Sequence, residues 1–257
     1  MFSEIELKFL ITHPHPEEIW RGIEDLKQLE RYVALPENKM YLRDIYLDTT
    51  ERLLQKNRLA LRFRTQNGNQ FITIKGDKKI QEYGAVHRLE IERAWDQPSL
   101  SEIIKVLSTS IPTFKPGQFE FSANHPIQTL QGLELHPIQE RTTHRTIRLL
   151  TDRLSDSLIA EGALDETIFK IANESIRHFE LEIELKGKGT EQTLQLIKTA
   201  ILSAYPESLE MWVISKLELG MILENVINKP VFREFLDKNN RISHRGYNYI
   251  RREYKFL

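Results

Sequence analysis

Acidic and basic side chains recur at every second position in several short segments of this chain. Glu4, Glu6 and Lys8 alternate with apolar residues near the N-terminus, and Arg62 and Arg64 do the same further along. The remaining members of these rows are Thr73, Lys75, Arg88, Glu90, Glu92, Glu180, Glu182, Glu184 and Lys186. Rows of carboxylates suit Mg²⁺ or Mn²⁺, because hard cations prefer oxygen ligands. Since Arg and Lys suit phosphate oxygens, the combination indicates a polyphosphate site with a divalent cation.

Alternation with a period of two is typical of β-strands, so these segments must be held in a sheet. The predicted strands cover residues 2–11, 43–48, 59–65, 70–75, 86–93, 137–151, 156–163, 166–171 and 177–186. Asn67-Gly68 indicates a tight hairpin turn between two of them. Strands that follow one another in this way favour one antiparallel barrel or sandwich over parallel βαβ units. The sequence EIELK occurs at 4–8 and again at 182–186, so both halves of the chain contain a strand of the same chemistry.

Four amphipathic helices are predicted between or after the strands. They cover residues 16–31, 99–108, 190–204 and 208–224. Ser99 with Glu102 resembles a capping box at the start of the second helix. Residues 112–126 contain Pro, Gly and Asn and are predicted to form a connecting loop.

Two arrangements of the charged strand faces are open. In the first, the apolar faces pack a core and the charged faces meet water, as in many antiparallel sheets. In the second, the sheet closes with its charged face inward, and the helices cover the apolar outer face. The recurrence of the charged pattern in five or more strands favours the second arrangement. Enclosed charge is costly unless it is paired or filled by a ligand, so a charged lumen would imply a charged ligand.

The composition excludes several other classes of protein. Lys and Arg total 36 and Asp and Glu total 37, so bulk positive charge cannot attract a polyanion, and a local concentration of basic residues must do so. With no cysteine, thiolate metal sites, disulfides and a cysteine nucleophile are excluded. No apolar run is long enough for a membrane helix, and Glu4 and Glu6 do not fit a signal peptide. We therefore expect a cytoplasmic protein that binds no membrane and no nucleic acid.

The ordered series of short motifs resembles the CYTH family, also called triphosphate tunnel metalloenzymes. Glu4–Lys8 resembles the N-terminal ExExK strand of the family, and Ser215-Lys216 with Gly220 resembles its SKxxxG motif. Between them lie segments that resemble YxDT at 46–49, LRxR at 61–64, TxK at 73–75, the next strand at 88–90, and ELE at 180–182. The resemblance covers about residues 2–224.

This resemblance implies an α+β fold: a closed antiparallel barrel of eight strands with a charged lumen and helices packed outside. The implied metal ligands, for Mg²⁺ or Mn²⁺, are Glu4, Glu6, Asp165, Glu180 and Glu182. The implied triphosphate-binding residues are Lys8, Arg62, Arg64, Lys75, Arg88, Arg145 and Lys216. Of these, Glu4, Glu6, Lys8 and Glu182 are the predicted catalytic residues. Arg141 is the alternative to Arg145, because both lie on one face of the same predicted strand.

The predicted function is metal-dependent hydrolysis of a linear triphosphate, which makes the chain a phosphoric anhydride hydrolase. Inorganic triphosphate is the preferred small-molecule substrate, followed by nucleoside or thiamine triphosphate, because the length and SKxxxG ending resemble the inorganic triphosphatase branch. One alternative is a class IV adenylate cyclase that makes cyclic AMP from ATP, although the sequence contains no adenine-binding signature. The other is a polyphosphate- or nucleotide-binding module with little turnover. A monomer or a homodimer is expected.

The predicted organisation is a tunnel domain at 1–224 followed by a basic extension at 225–257. The extension contains eight Lys or Arg and three acidic residues, and it matches nothing in the family. Residues 230–238 are predicted to be helical before an irregular end. Two roles are open for the extension: packing on the barrel, or gathering of polyanions by its positive charge, which salt would screen.

Overall fold

The computed structural model describes residues 2–24, 26, 29 and 31–255. The described residues form ten strands. An extended backbone points successive side chains to opposite faces of a sheet, which explains the alternation of charged and apolar residues in the long strands. The bounds of the ten strands are β1 (Phe2–Ile11), β2 (Tyr32–Ala34), β3 (Asn38–Asp48), β4 (Ala60–Gln66), β5 (Asn69–Ile80), β6 (Val86–Ala94), β7 (His136–Asp152), β8 (Leu158–Ile171), β9 (Glu174–Leu185) and β10 (Leu209–Met211). As predicted, Asn67 and Gly68 form the turn between β4 and β5, and both have positive φ angles.

The strands form one sheet that closes on itself. Its order is β10-β1-β6-β5-β4-β3-β7-β8-β9, and β1 also pairs with β9. Since β2 and β10 have three residues each and pair only with β7 and β1, the eight long strands form a closed antiparallel barrel. The repeated EIELK segments are direct neighbours at the closure, where Lys8 lies opposite Glu182 and Glu6 lies opposite Glu184. The predicted fold class is confirmed.

In the part of the chain that the structure describes, seven α-helices pack outside the barrel. Their bounds are α1 (Pro16–Glu24), α2 (Leu53–Lys56), α3 (Gln97–Ser110), α4 (Pro126–Gly132), α5 (Glu191–Ala204), α6 (Lys216–Val226) and α7 (His244–Tyr254). A 3-10 helix covers Pro230–Phe235. No helix in the described residues is long and apolar enough to cross a membrane.

The chain divides into two compact units. The first contains residues 2–3, 42–78 and 88–142. In this unit the apolar sides of β3 to β6 pack against α3, with Leu61, Ile72 and Ile103 fully buried. The charged side is also buried, since Arg62 is 4% exposed and Lys75 is 8% exposed. Burial of both faces is what an inward charged face requires, and a solvated charged face is excluded for β4 at Arg62 and for β5 at Lys75.

The second unit contains residues 4–41, 79–87 and 143–257. Apolar residues of β1 and β9 pack against α1 and α5 in one hydrophobic cluster, which includes Leu7, Leu181 and Ile197. A second cluster joins β8, α6, the 3-10 helix and α7, and in it Trp212 and Tyr247 are buried. The charged side of these strands is buried as well, because Lys8 is 4% and Glu180 is 0% exposed.

Several predicted boundaries were wrong. Residues 156–163 and 166–171 are not separate strands but parts of one strand, β8. Residues 208–224 contain strand β10 before α6, which begins at Lys216. The predicted helix at 16–31 ends at Glu24 as described, and residues 25, 27, 28 and 30 lie outside the described residues.

Two helix predictions also need correction. Helix α3 is capped by Asp96, whose carboxylate accepts a hydrogen bond from the backbone N–H of Ser99, and not by Ser99 with Glu102. Glu102 instead pairs with Arg93. Beyond residue 229, helical structure ends at Phe235 rather than 238, and the predicted irregular end contains α7.

Candidate functional site

Three carboxylates of the second unit converge on neighbouring strands. Asp165 on β8 lies directly opposite Glu180 on β9, and Glu182 follows on the same face of β9. One oxygen from each of the three lies within 4.8 Å of the others. Asp165 and Glu180 are fully buried. We call these residues the acidic cluster.

The ammonium of Lys216 lies among these carboxylates. Its Nζ atom is 2.9 Å from Asp165 Oδ2 and 2.8 Å from Glu182 Oε1, and it also donates a hydrogen bond to Glu180. The local sequence fixes this position, because the Ser215 hydroxyl accepts a hydrogen bond from the backbone N–H of Glu218, and the Glu218 carboxylate accepts one from the backbone N–H of Ser215. This capping box starts α6 at Lys216, so the SK motif has a structural explanation.

Two more basic residues pair with the acidic cluster. Lys8 on β1 places Nζ 3.4 Å from Glu180 and 3.6 Å from Glu182. Arg145 on β7 donates two hydrogen bonds to Asp165, at 2.7 and 2.6 Å, and a third to Glu182 at 2.6 Å. Three carboxylates are therefore matched by three basic groups, and the buried charges are paired.

The carboxylates of β9 stay ionised in spite of burial. Burial by itself would raise the pKa of Glu180, but the charges of Lys216 and Lys8 outweigh it and lower this pKa below its ordinary value. For Glu182, Lys216 and Arg145 likewise outweigh burial and lower the pKa. Ionised carboxylate oxygens without sulfur ligands fit Mg²⁺ or Mn²⁺, because these cations prefer hard oxygen donors. The donor set of the acidic cluster therefore fits the cation that the sequence implies.

Glu4 and Glu6 lie on β1, but they are not members of the acidic cluster. Glu6 is buried opposite Glu184, whose carboxylate accepts a 2.5 Å hydrogen bond from Lys186. Burial and the charge of Glu4 raise the pKa of Glu184 to about 7, against the effect of Lys186. This end of β1 thus carries a second, separate group of acidic side chains.

The first unit contains a group of buried basic residues. Arg62 on β4 donates hydrogen bonds to Thr73 at 3.2 Å, to Glu90 at 3.2 Å and to Glu92 at 2.8 Å, all through one terminal nitrogen. Its Nε atom is buried and has no hydrogen-bond partner among the described residues. Lys75 on β5 donates a 2.5 Å hydrogen bond to Glu90. The guanidinium of Arg62 therefore keeps a donor that none of the described residues uses.

Arg64 and Arg141 meet at one buried carboxylate, Asp44 on β3. Arg64 binds Asp44 through two hydrogen bonds of 2.7 and 2.8 Å, and Arg141 donates to the Tyr46 hydroxyl at 2.8 Å and lies 3.5 Å from Asp44. Burial opposes ionisation of Asp44, but Arg64 and Arg62 lower its pKa far below the ordinary value. Burial likewise opposes ionisation of Tyr46, but Arg141 and Arg62 lower its pKa to about 8. We call Arg62, Arg64, Arg141 and Lys75 the basic cluster.

The predicted site residues thus fall into two groups. The first group consists of the acidic cluster, Asp165, Glu180 and Glu182, and the basic residues that pair with it, Lys8, Arg145 and Lys216. Arg62, Arg64 and Lys75 belong to the basic cluster. Arg88 is half-buried on β6, on the face that also carries Glu90 and Glu92. Arg141 is buried and Arg145 is partly buried, and each contacts a different set of carboxylates.

Comparison with known proteins identifies the family. The CYTH domain model matches residues 3–210. The chain belongs to the CYTH family. No curated protein matches the sequence. Solved structures of other proteins are also similar to this chain.

Three solved structures with similarity to this chain are the following. HpAC1 of Hippeastrum, described as a candidate adenylyl cyclase with a dominant triphosphatase activity, is 17% identical over 85% of this chain and 95% of that chain, with a TM-score of 0.57. A candidate adenylate cyclase of Bacillus halodurans is 18% identical over 85% of this chain and 98% of that chain, with a TM-score of 0.44. The triphosphatase of the Mimivirus capping enzyme is 12% identical over 78% of this chain and 88% of that chain, with a TM-score of 0.37. The first similarity supports the shared fold.

In this CYTH chain, sequence reasoning missed several residues that contact the two clusters. Asp44 went unrecognised, although it alternates with Tyr46 and Asp48 on β3. Asp48 has a structural role, since its carboxylate accepts hydrogen bonds from the backbone N–H groups of Leu54 and Gln55 in α2. His178 and Tyr247, which lie next to Glu180, were also missed. The one feature of the sequence that could have indicated His178 is its position two residues before Glu180, on the same face of β9.

Proposed function

We propose that this CYTH protein hydrolyses a linear triphosphate with the aid of Mg²⁺ or Mn²⁺, and that inorganic triphosphate is its preferred substrate. Two features of the described residues support the proposal. The acidic cluster offers three carboxylates, of which those of Asp165 and Glu180 are fully buried, and the basic cluster offers the buried guanidinium groups of Arg62 and Arg141. Burial of so many charges lowers the stability of the fold, and a charged ligand that binds these groups accounts for their presence.

In this proposal, Asp165, Glu180 and Glu182 hold the cation, together with Glu4 and Glu6 as the family resemblance implies. When bound, such a cation polarises phosphoryl oxygens and neutralises negative charge. The carboxylates must remain ionised for this role, and the low pKa values of Glu180 and Glu182 keep them so.

Phosphate oxygens are assigned to Lys8, Arg62, Arg64, Lys75, Arg88, Arg145 and Lys216. The single observation that best supports this assignment is the buried Nε donor of Arg62, which no described residue satisfies. A planar guanidinium that already uses one terminal nitrogen on Glu90 and Glu92 can still offer its other donors to a phosphate. Positive charge fixed in a buried site stabilises charge that develops on the transferred phosphoryl group.

The ion pairs within each cluster explain how the protein can fold without substrate. In the acidic cluster, Lys216 and Arg145 are paired with the same carboxylates that are assigned to the cation. A triphosphate and its cation bring charges of both signs, so the basic groups can exchange carboxylate oxygens for phosphate oxygens while the carboxylates gain the cation. Charge balance is preserved by this exchange, which keeps the cost of substrate binding low.

The proposal is tested by measuring phosphate release from inorganic triphosphate, ATP and thiamine triphosphate, each with Mg²⁺, with Mn²⁺ and in excess chelator. Cyclic AMP is measured in the ATP reactions. We expect phosphate release from inorganic triphosphate to be fastest, to need the cation, and to occur without cyclic AMP formation. Cyclic AMP as the main product would establish the adenylate cyclase instead, and binding without turnover would establish a binding module.

Two variants locate the activity. We expect Glu182→Gln to lose at least 100-fold in rate, as for removal of a group that stabilises the transition state. Glu174→Gln is the matched control, because Glu174 lies on the same strand and pairs with Arg233, whose side chain is 80% exposed. Equal rates for both variants, or full activity of the wild-type protein in chelator, would refute the proposed site.

A further inference from the structure

A chain of hydrogen bonds connects the C-terminal helix to the acidic cluster. The hydroxyl of Tyr247 on α7 lies 2.9 Å from His178 Nδ1, and His178 Nε2 lies 2.9 Å from Glu180 Oε2. All three side chains are completely buried. Glu180 also pairs with the ammonium groups of Lys8 and Lys216. The polar chain therefore leads from α7 to one oxygen of a proposed cation ligand.

The partners determine the direction of these hydrogen bonds. An ionised carboxylate can only accept, so the hydrogen on His178 lies on Nε2 and is donated to Glu180. With the ring hydrogen on Nε2, Nδ1 of the neutral imidazole is an acceptor, and the Tyr247 hydroxyl 2.9 Å away donates to it. Tyr247 thus fixes the tautomer and ring orientation of His178, and His178 fixes one oxygen of Glu180.

Packing holds this chain in one arrangement. The indole of Trp212 lies against both rings, with centroids 6.0 Å from His178 and 5.6 Å from Tyr247. Next to it, the extension binds β9 directly, since Arg177 donates a backbone hydrogen bond to Asn240 and accepts one from Ile242. The guanidinium of Arg241 lies 4.7 Å from the ring centre of Phe179 and donates to the Ile11 carbonyl at 2.9 Å. The segment after the CYTH match is therefore attached to the strand that carries Glu180.

Packing alone does not explain the choice of residues. A phenylalanine at 247 and an apolar side chain at 178 would fill this core without buried polar atoms, which are costly unless they are hydrogen-bonded. The polar chain instead ends at a carboxylate whose other oxygen faces Lys216. Outer partners of this kind orient metal ligands, and their loss typically lowers metal affinity by about 10–100-fold.

We propose that Tyr247 and His178 are positioning residues that orient Glu180 for the divalent cation, so that the C-terminal extension completes the cation site of the CYTH domain. This inference rests on the proposed function, because it assumes that Glu180 is a cation ligand. Neither residue is assigned to substrate or to the reacting atoms.

The test is direct titration of the full-length protein with Mn²⁺ alone, by calorimetry, next to measurements of the melting temperature. Tyr247→Phe removes only the hydroxyl, and we expect the Mn²⁺ dissociation constant to rise about 10-fold. Tyr249→Phe is the matched control, because Tyr249 lies on the same helix and its hydroxyl accepts a hydrogen bond from Lys229, away from Glu180. We expect it to bind Mn²⁺ as the wild-type protein does.

Two substitutions of His178 provide an independent readout if Tyr247→Phe folds poorly. The terminal nitrogen of glutamine can take the place of Nε2 and donate to Glu180, whereas asparagine reaches only the place of Nδ1. We expect His178→Gln to retain most of the Mn²⁺ affinity and His178→Asn to lose it. A role in packing alone would affect the melting temperature of both variants and would not separate their affinities.

The outcomes distinguish this inference from the proposed function. The positioning role would be overturned, with the proposed function intact, if the wild-type protein binds Mn²⁺ and folded Tyr247→Phe binds it with the same affinity. Equal Mn²⁺ affinities of the two His178 variants would have the same consequence. Absence of Mn²⁺ binding by the wild-type protein would overturn both. A weaker affinity in Tyr247→Phe with normal maximal activity at saturating Mn²⁺ would support the inference.

Discussion

The Nζ atom of Lys216 lies 2.9 Å from Oδ2 of Asp165, on strand β8, although 51 residues separate the two in the sequence. Burial disfavours the charge of Lys216, but Asp165, Glu180 and Glu182 outweigh it and raise the pKa of the ammonium above its ordinary value. The ammonium of Lys216 thus lies among the three carboxylates that are proposed to bind a cation. Lys216 and a divalent cation should therefore compete for the same negative charge.

Lys216→Met tests this competition. Removal of the ammonium leaves the carboxylates less compensated, so we expect the cation-free variant to lose about 3–5 kcal/mol in the free energy of unfolding. We expect Mn²⁺ to bind at least about tenfold more tightly, because a positive charge next to the cation is gone. Calorimetry and urea unfolding with and without Mn²⁺ measure both effects. Lys188→Met is the control, since Lys188 is exposed, and weaker Mn²⁺ binding by Lys216→Met would contradict the competition.

Arg62→Lys tests whether the unused donor of Arg62 serves an anion. The charge is retained, but the planar group that can bind two oxygens at once is lost. We expect triphosphate to bind about tenfold more weakly, with a smaller stabilisation of the folded protein at millimolar triphosphate. Thermal shift and calorimetry measure this effect. Arg58→Lys is the control, because Arg58 is 77% exposed and pairs with Asp77 on the surface; an equal response of both variants would refute the assignment.

Asp44→Asn tests the pH dependence that the basic cluster implies. The pKa of Asp44 is lower in the folded protein than the value of about 3.9 in an unfolded chain, so its charge stabilises the fold above that pH. This contribution should decrease as the pH falls below about 3.9, because the unfolded state then takes up a proton that the folded state resists. We expect Asp44→Asn to cost about 3–5 kcal/mol at pH 7 and clearly less at pH 3.

Urea unfolding at pH 7, 5 and 3 measures this difference. Asp77→Asn is the matched control, since Asp77 is 55% exposed in its pair with Arg58, and exposed pairs contribute about 0–1 kcal/mol. A destabilisation by Asp44→Asn that stays constant down to pH 3 would show that the charge of Asp44 is not what stabilises the fold.

Much of the barrel could be predicted because both faces of its strands repeat with a period of two. Leu61 and Phe63 alternate with Arg62 and Arg64, and this alternation predicts a strand whichever of its faces is buried. Sequence alone left the direction of the charged face open, because Arg62 has the same local pattern in a solvated strand. The fold decides the question, since Arg62 becomes only 4% exposed.

Errors occurred where a residue depends on distant partners. The sequence predicted two strands, at 156–163 and 166–171, and left Asp165 between them. Asp165 lies within β8 because Arg145 and Lys216, 20 and 51 residues away, pair with it. Helix α7 was missed for a related reason. Its polar residues conceal the apolar contacts of Tyr247 and Ile250, which exist only because the barrel is already folded.

The role of the basic extension can be separated into packing and charge. Tyr247 and Ile250 are completely buried, whereas Arg245, Arg252 and Lys255 are exposed. We expect deletion of residues 240–257 to cost several kcal/mol in the free energy of unfolding, because each large buried side chain contributes about 1.5–3 kcal/mol. We expect a variant with Arg245, Arg252 and Lys255 changed to Gln to keep the wild-type melting temperature.

The same triple variant decides whether the extension gathers substrate. If positive charge attracts the triphosphate, KM should rise at low salt with kcat nearly unchanged, and the difference should vanish as salt increases, because ions screen exposed charges beyond about 10 Å at 0.1 M. We expect instead that KM at low salt stays within about twofold of the wild-type value, because exposed charges contribute little individually and the contacts of α7 are those of a packed helix. Steady-state kinetics at low and high salt measure this. A KM that rises only at low salt would assign the extension a role in substrate capture, whereas an unchanged KM in the folded triple variant leaves packing and the orientation of Glu180 as its functions.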